Sequence, residues 1–356
     1  MNRTKKRTKR SAAARPSSLA PAGLGRLPAV PASGLGRLRT VLAGLGRLPA
    51  ARAGLGTPSA LALLSLTAIA LLVTPAAAQQ DGLKVYISAD MEGVVGAVTG
   101  DQLGPGGFEY QRFREIMTNE VIAAIEAARE AGATEILVSD SHGNGENLLI
   151  ERLPPDIQLV RSWPRPLMMM EGIDETFDAA IFIGYHSSTT NTQGVRAHTI
   201  SSANLTAVRL NGVEMLEASI NAAIAGDFGV PVVMISGDDA VVEEARRVVG
   251  DMEGAVVKWS LGFHSARTLM PEASYALIRE RVGAALARLG DFQPYRMEGP
   301  IELEISFKNY MPAEVMAYLP IVERVDAHTI RFVGQDMTEI SKFIAFTTRF
   351  GVGIAP

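Results

Sequence analysis

The sequence predicts an α/β fold: a mostly parallel central sheet with flanking helices, followed by a smaller C-terminal α+β domain. Three observations predict it. Short apolar runs alternate with segments of helical period up to about residue 265, and beyond that point strict apolar–polar alternation takes over. The composition, 47% hydrophobic and 20% charged, is that of an ordinary globular chain.

Residues 83–89, Leu-Lys-Val-Tyr-Ile-Ser-Ala, read as the first strand. Phe113, Ile116, Met117, Val121, Ala124, Ile125 and Ala128 then recur at helical spacing, and Gly132 supplies the stop. Strands follow at 134–139 and 179–184, and a short apolar run from Val232 to Ser236 leads into a helix over Ala240–Val249. Apolar strands separated by amphipathic helices favour a parallel sheet covered on both faces, with sites at the loops leaving the carboxyl ends of the strands. After the boundary come a helix at 272–289 and an alternating strand marked by Ile301, Leu303, Ile305 and Phe307. A hairpin over 321–333 and a closing helix over 337–347 complete the smaller unit. The expected organisation is therefore a leader over 1–78, an α/β domain over 79–265 and an α+β domain over 266–356.

The leader stands apart by charge. It holds 12 of the 34 Lys and Arg and no Asp or Glu, and it opens with the cluster Arg3, Lys5, Lys6, Arg7, Lys9 and Arg10. Gly-Leu-Gly recurs at Gly23, Gly34, Gly44 and Gly54, a Gly- and Pro-rich spacing too short for a solenoid repeat. An uncharged run from Ala60 to Val73 ends in Pro75-Ala76-Ala77-Ala78. A basic start, an apolar stretch and an Ala-x-Ala exit describe a secretory signal peptide. The run falls short of the ~20 apolar residues of a transmembrane helix. The expectation is cleavage near Ala78, export from the cytoplasm and no stable membrane insertion afterwards.

Residues 79–356 carry 22 basic against 38 acidic side chains, a net charge of -16. Such a body repels phosphate backbones, so nucleic acid is not an expected partner. The chain has no cysteine. Disulfides, Cys-ligated zinc and thiol nucleophiles are excluded, and any metal has to be held by His, Asp and Glu.

Three predicted strands run into such residues: Asp90-Met91-Glu92-Gly93, Asp140-Ser141-His142-Gly143 and Gly184-Tyr185-His186. If the strands are parallel neighbours, Asp90, Glu92, His142 and His186 share one rim, with Asp90 and Glu92 on the same side of an extended segment. Two carboxylates and two imidazoles suit zinc or manganese, and a carboxylate such as Asp90 can bridge two ions if a further ligand is present. The competing reading is a hydrogen-bonded histidine at each strand end and an aspartate capping a turn. Only five histidines occur in the chain, and two of them end strands that this topology would juxtapose. His198, in Gly194-Val195-Arg196-Ala197-His198, sits in a polar loop and is either a proton-transfer group or an ordinary surface histidine.

These elements, with Val230-Pro231-Val232-Val233-Met234-Ile235-Ser236-Gly237-Asp238-Asp239, resemble the DppA-type zinc D-aminopeptidases over about 83–350. The resemblance implies a two-zinc site on an α/β domain, release of N-terminal D-amino acids such as D-Ala from short peptides, and a homo-oligomer. It also implies that Asp90, Glu92, His142 and His186 are metal ligands and His198 the catalytic histidine. The family's fifth ligand is a Glu in a Gly-Glu-x-Gly-x-Asn-Ala step; counting back from Val230 through Asn221-Ala222 reaches Glu217. Here Leu216 and Ser219 stand where the family has glycines, and Glu214 is the rival. Lys258 matches a family Val-Lys step; from its neighbours alone it reads as a solvated surface charge. Another metallohydrolase on the same scaffold (an L-aminopeptidase, amidase or phosphoesterase) and a non-catalytic exported binding protein remain the alternatives.

Overall fold

The computed structural model describes residues 82–350, so the expected leader and its cleavage point lie outside the described residues. The chain begins with β1 (Leu83–Ala89), α1 (Gly100–Leu103), α2 (Tyr110–Glu130), β2 (Ala133–Asp140), β3 (Gln158–Val160) and β4 (Ala179–Tyr185). It continues with β5 (Leu205–Leu210), β6 (Val213–Glu214), α3 (Glu217–Asp227), β7 (Val232–Asp238), α4 (Asp239–Val248), β8 (Glu253–Gly262) and β9 (Ser265–Thr268). The remainder is α5 (Pro271–Ala287), β10 (Ile301–Phe307), α6 (Tyr310–Met316), β11 (Val322–Arg324), β12 (Thr329–Gly334) and α7 (Met337–Arg349).

Seven strands form one sheet in the order β3-β2-β1-β4-β7-β8-β9, parallel except for the β8–β9 hairpin. The strands β4 and β7 are buried along their whole length, as a sheet covered on both faces requires. Val85, Ile87 and Ala89 pack with α2 and α5 on one face. Tyr86 and Phe182 face the other way, into a core shared with α3, α7 and the second sheet. That sheet is antiparallel, in the order β11-β12-β10-β5-β6. The expected mostly parallel sheet with flanking helices is therefore what the chain forms.

Layer membership does not change at residue 265. The strands β5 and β6 precede it yet extend the second sheet through β10, whereas α5 follows it and packs on α2 and β8. Asn211 and Gly212, with φ of 48° and 78°, make the two-residue turn between β5 and β6. The helix α3 lies between the layers, and every residue from Glu217 to Gly226 is buried. A helix enclosed on all sides needs small residues, which accounts for Ala218, Ala222, Ala223, Ala225 and Gly226.

Where β1 and β4 end, their backbones touch. Asp90 N–H donates to Ile183 O at 2.8 Å and Gly93 N–H to Gly184 O at 2.7 Å. Gly184 has φ of +72°, and a Cβ on it would lie 2.2 Å from Asp90 O. Glycine is therefore required both by conformation and by space. Gly184→Ala is expected to destabilise the fold by at least about 2 kcal/mol in urea unfolding. An unchanged midpoint would contradict the close approach of these strand ends.

Candidate metal centre

The adjacent parallel order β2-β1-β4 brings the three strand ends onto one rim, and with them Asp90, Glu92, His142 and His186, all buried. Glu217, the first residue of α3, and His198, in the loop after β4, complete the cluster. Asp90, Glu92 and His142 form one set of closely spaced donor atoms; His186, His198 and Glu217 form another. Asp90 joins the two sets: its Oδ1 is 3.1 Å from His142 Nδ1, and its Oδ2 is 3.3 Å from His186 Nε2. Glu92 Oε2 lies 2.8 Å from His142 Nδ1 and Glu217 Oε1 lies 3.4 Å from His186 Nε2. His198 Nε2 is 3.7 Å from the same Glu217 oxygen, and the His186 and His198 rings stack at 4.0 Å. Glu214 instead pairs with Arg209 at 3.2 Å and lies outside both donor sets, so Glu217 is the glutamate brought to the cluster.

Each histidine has one ring nitrogen committed to a backbone carbonyl. His142 Nε2 faces Leu103 O at 2.7 Å, His186 Nδ1 faces Ser187 O at 3.1 Å, and His198 Nδ1 faces Arg196 O at 2.8 Å. A carbonyl only accepts, so that nitrogen carries the proton and the other nitrogen is turned into the cluster. This is the arrangement by which a protein fixes the tautomer of a metal-binding imidazole. Asp90 Oδ2, Glu92 Oε2 and His186 Nε2 are buried without an aligned hydrogen bond. Orphaned donors converging at ion-pair distances, all oxygen or imidazole nitrogen, fit one or two divalent cations.

Three surrounding loops are tied down. Asp140 accepts from Asn147 N, Asn147 Nδ2 and Leu148 N at 2.6–2.8 Å, closing the turn that carries His142. Asp238 caps α4 and also accepts from Val195 N at 2.6 Å, holding the loop of His198. Glu244 does the same for Ser188 and Asn191. The clamp on the third loop corrects a sequence expectation: Lys258 is not at the surface but fully buried. Its Nζ donates to the carbonyls of Glu92, Val94 and Ala97 at 2.5, 3.1 and 2.6 Å, clamping the segment that presents Glu92. Burial pulls its pKa down to about 8, so the ammonium form still dominates at neutral pH. Glu120, buried in α2 and raised by burial to about 7, accepts from Val95 N in the same segment.

In the absence of a cation, protons take over part of its role. Burial disfavours charge on His142 and His186, yet Glu92 and Asp90 raise the first, and Glu217 and Asp90 the second, well above the ordinary value. Burial likewise opposes ionisation of Glu92 and Glu217. Their histidine neighbours outweigh it, holding Glu92 well below the usual range and lowering Glu217. Asp90 moves the other way, raised by burial and by Glu92. His198 is lowered by burial and then by His186.

The cluster floors a cavity of about 320 Å³, whose walls include Trp163, Met168, Met169, Ser201–Ala203, Thr348 and Arg349. A larger open depression beside Thr206, Lys308 and His328 holds none of the donor residues. The wall residues carry no sequence signal, because they come from loops and from the far end of α7. The clamp roles of Asp140 and Asp238 were within reach, since both end strands that feed the site.

Metal binding has to displace the protons on His142 and His186. Titrating metal-free protein with zinc at pH 7 is expected to release protons, seen by calorimetry in buffers of different ionisation enthalpy, and affinity is expected to fall as pH drops towards 5. Glu217→Gln is expected to lower bound metal, whereas Glu214→Gln retains the parent's content. Equal metal in both variants would remove Glu217 from the site.

Residues 83–346 match the D-aminopeptidase family of peptidases. A D-aminopeptidase of Bacillus subtilis (strain 168) is 34% identical over 261 residues, which is 72% of this chain and 93% of that protein. Among solved structures, the Zn-dependent D-aminopeptidase DppA from Bacillus subtilis, described as a self-compartmentalizing protease, matches with a TM-score of 0.74 and 32% identity. The match covers 77% of this chain and 100% of that one. The matched span contains every residue of the buried donor cluster and both sheets; this chain belongs to the D-aminopeptidase family.

Proposed function

We propose that the protein is an exported zinc-dependent aminopeptidase that removes N-terminal D-amino acids, such as D-Ala, from short peptides through a two-zinc site. The observation that carries the two-ion reading is Asp90, whose two oxygens face different donor sets. Asp90, Glu92 and His142 would hold one ion, and Asp90, His186 and Glu217 the other. Bound zinc supplies an acidified water and polarisation of the scissile carbonyl. The preference for D-residues is supported by the family and by both relatives.

His198 has the properties of a proton carrier. Its Nδ1–H is donated to Arg196 O, so the neutral ring turns an Nε2 lone pair towards Glu217 and the cavity. Burial and the neighbouring His186 keep it neutral at pH 7. It can therefore take a proton from the attacking water and return it to the leaving amine as the C–N bond breaks. A free substrate α-amine could ligate or hydrogen-bond beside one bound ion, which would set the first peptide bond near His198 and favour the N-terminus of a peptide.

His198→Ala is expected to keep the parent's zinc content and to lose on the order of 10²–10⁴-fold in kcat on a D-Ala peptide. A metal-free variant would make His198 a ligand, and full activity would remove it from the reaction. A parent equally active on the L-Ala peptide would sink the D-selective reading.

Export belongs to the same proposal and is supported by the basic and apolar character of residues 1–78. Protein recovered from its native cell is expected to begin at or near Gln79; an intact leader would count against export. A homo-oligomer is also proposed, supported by the self-compartmentalizing relative and by Leu261 and Phe263, large apolar side chains exposed around the β8–β9 turn.

A further inference from the structure

The cavity has a cationic wall as well as an acidic floor. Among the residues lining it, Arg349, in the last turn of α7, is the one permanent cation. Its guanidinium lies over the Trp163 ring, 4.4 Å from the centroid, and that of Arg165 lies 4.2 Å from the same ring. The indole itself is anchored, because Trp163 Nε1 donates to Gly143 O at 2.9 Å, next to His142. A cation resting on that ring is thereby held at a set place relative to the donor cluster.

The two arginines differ in what their donors do. Arg165 is committed to Ser139 Oγ and to the carbonyls of Asp140 and Ser162. The guanidinium of Arg349 makes no hydrogen bond and no ion pair with any described residue. Burial lowers its pKa, and its charge acts unfavourably on Arg165. An exposed guanidinium at the cavity wall, seated on an indole with a like-charged neighbour and an unused planar fork, is a receptor for a carboxylate. The carboxylates lining the cavity, Asp90, Glu92 and Glu217, belong to the metal centre and lie outside ion-pair reach of it.

We propose that Arg349 binds the free C-terminal carboxylate of the substrate, so that the site selects unblocked peptides of two or three residues. The inference rests on the aminopeptidase reading, which places the substrate's amino terminus at the metal centre. A cavity of about 320 Å³ lies at the lower end of the roughly 300–1,000 Å³ of small-ligand sites. Both termini of a peptide can occupy it together only when the peptide is short.

The test compares D-alanyl-D-alanine with D-alanyl-D-alaninamide, using zinc-loaded parent, Arg349→Gln and Arg349→Lys proteins of matched zinc content and circular dichroism. The parent is expected to favour the free acid in kcat/KM by on the order of 10–100-fold, mainly through KM. Arg349→Gln is expected to bring that ratio close to one, and Arg349→Lys, which keeps the charge but not the fork, to give an intermediate value. An unchanged ratio in Arg349→Gln, or an equal fall on both substrates, overturns the assignment of Arg349 while leaving the peptidase reading intact. A parent inactive on both substrates overturns that reading, and the proposal with it.

Discussion

Three carboxylates buried within a few ångströms of one another are the constraint on which this structure turns. Asp90, Glu92 and Glu217 are each less than a tenth exposed. Removing one unpaired carboxylate from water costs several kcal/mol, so a cluster of three persists only beside matching positive charge. The immediate neighbours are imidazoles, which neutralise it only in part: His142 and His186 gain protons, whereas His198 loses affinity for one. A divalent cation meets the same demand without consuming the imidazole lone pairs. The electrostatics of burial and the chemistry of peptide hydrolysis thus point to the same occupant.

Holding such a cluster open requires a rigid frame, and the surrounding polar groups supply it. Asp140, Asp238 and Glu244 each anchor a loop by accepting hydrogen bonds from it, and Lys258 anchors another by donating. Lys258 is the least expected of these, since a buried lysine is costly unless its protons are used. Three carbonyls take up its three donors, and the segment so gathered is the one that presents Glu92. The network of Ser88, Ser141, Tyr185 and Asn221 plays a comparable part beneath the site, linking β1, β2, β4 and α3 through buried hydroxyl and amide contacts.

The cavity above this floor is polarised. Carboxylates and imidazoles line one end, and an arginine stacked on an indole lines the wall. In the proposed reading the amino end of a peptide would meet the metal centre and its carboxylate would meet the arginine, and the limited volume would tie their separation to chain length. If Arg349 takes the role proposed for it, specificity for a short substrate would follow from where these two groups sit.

Much of this was legible from residue order alone. Apolar strands alternating with a 3.6-residue period announced the parallel sheet, because each strand buried on both faces has to be apolar throughout. The same pattern placed Asp90, His142 and His186 at strand ends that only a parallel arrangement makes neighbours. Glu217 was reached only through the family resemblance, with Glu214 left as its rival until the fold separated them. Asn211-Gly212 is a dipeptide suited to a hairpin turn, but nothing in it says which sheet that hairpin joins. Tertiary structure alone decided that β5 crosses to pair with β10, that Lys258 is buried, and that Arg349 returns to the cavity from the end of the chain. Local pattern encodes which face of a segment is apolar, whereas charge burial and long-range strand partners depend on what the rest of the chain places opposite it.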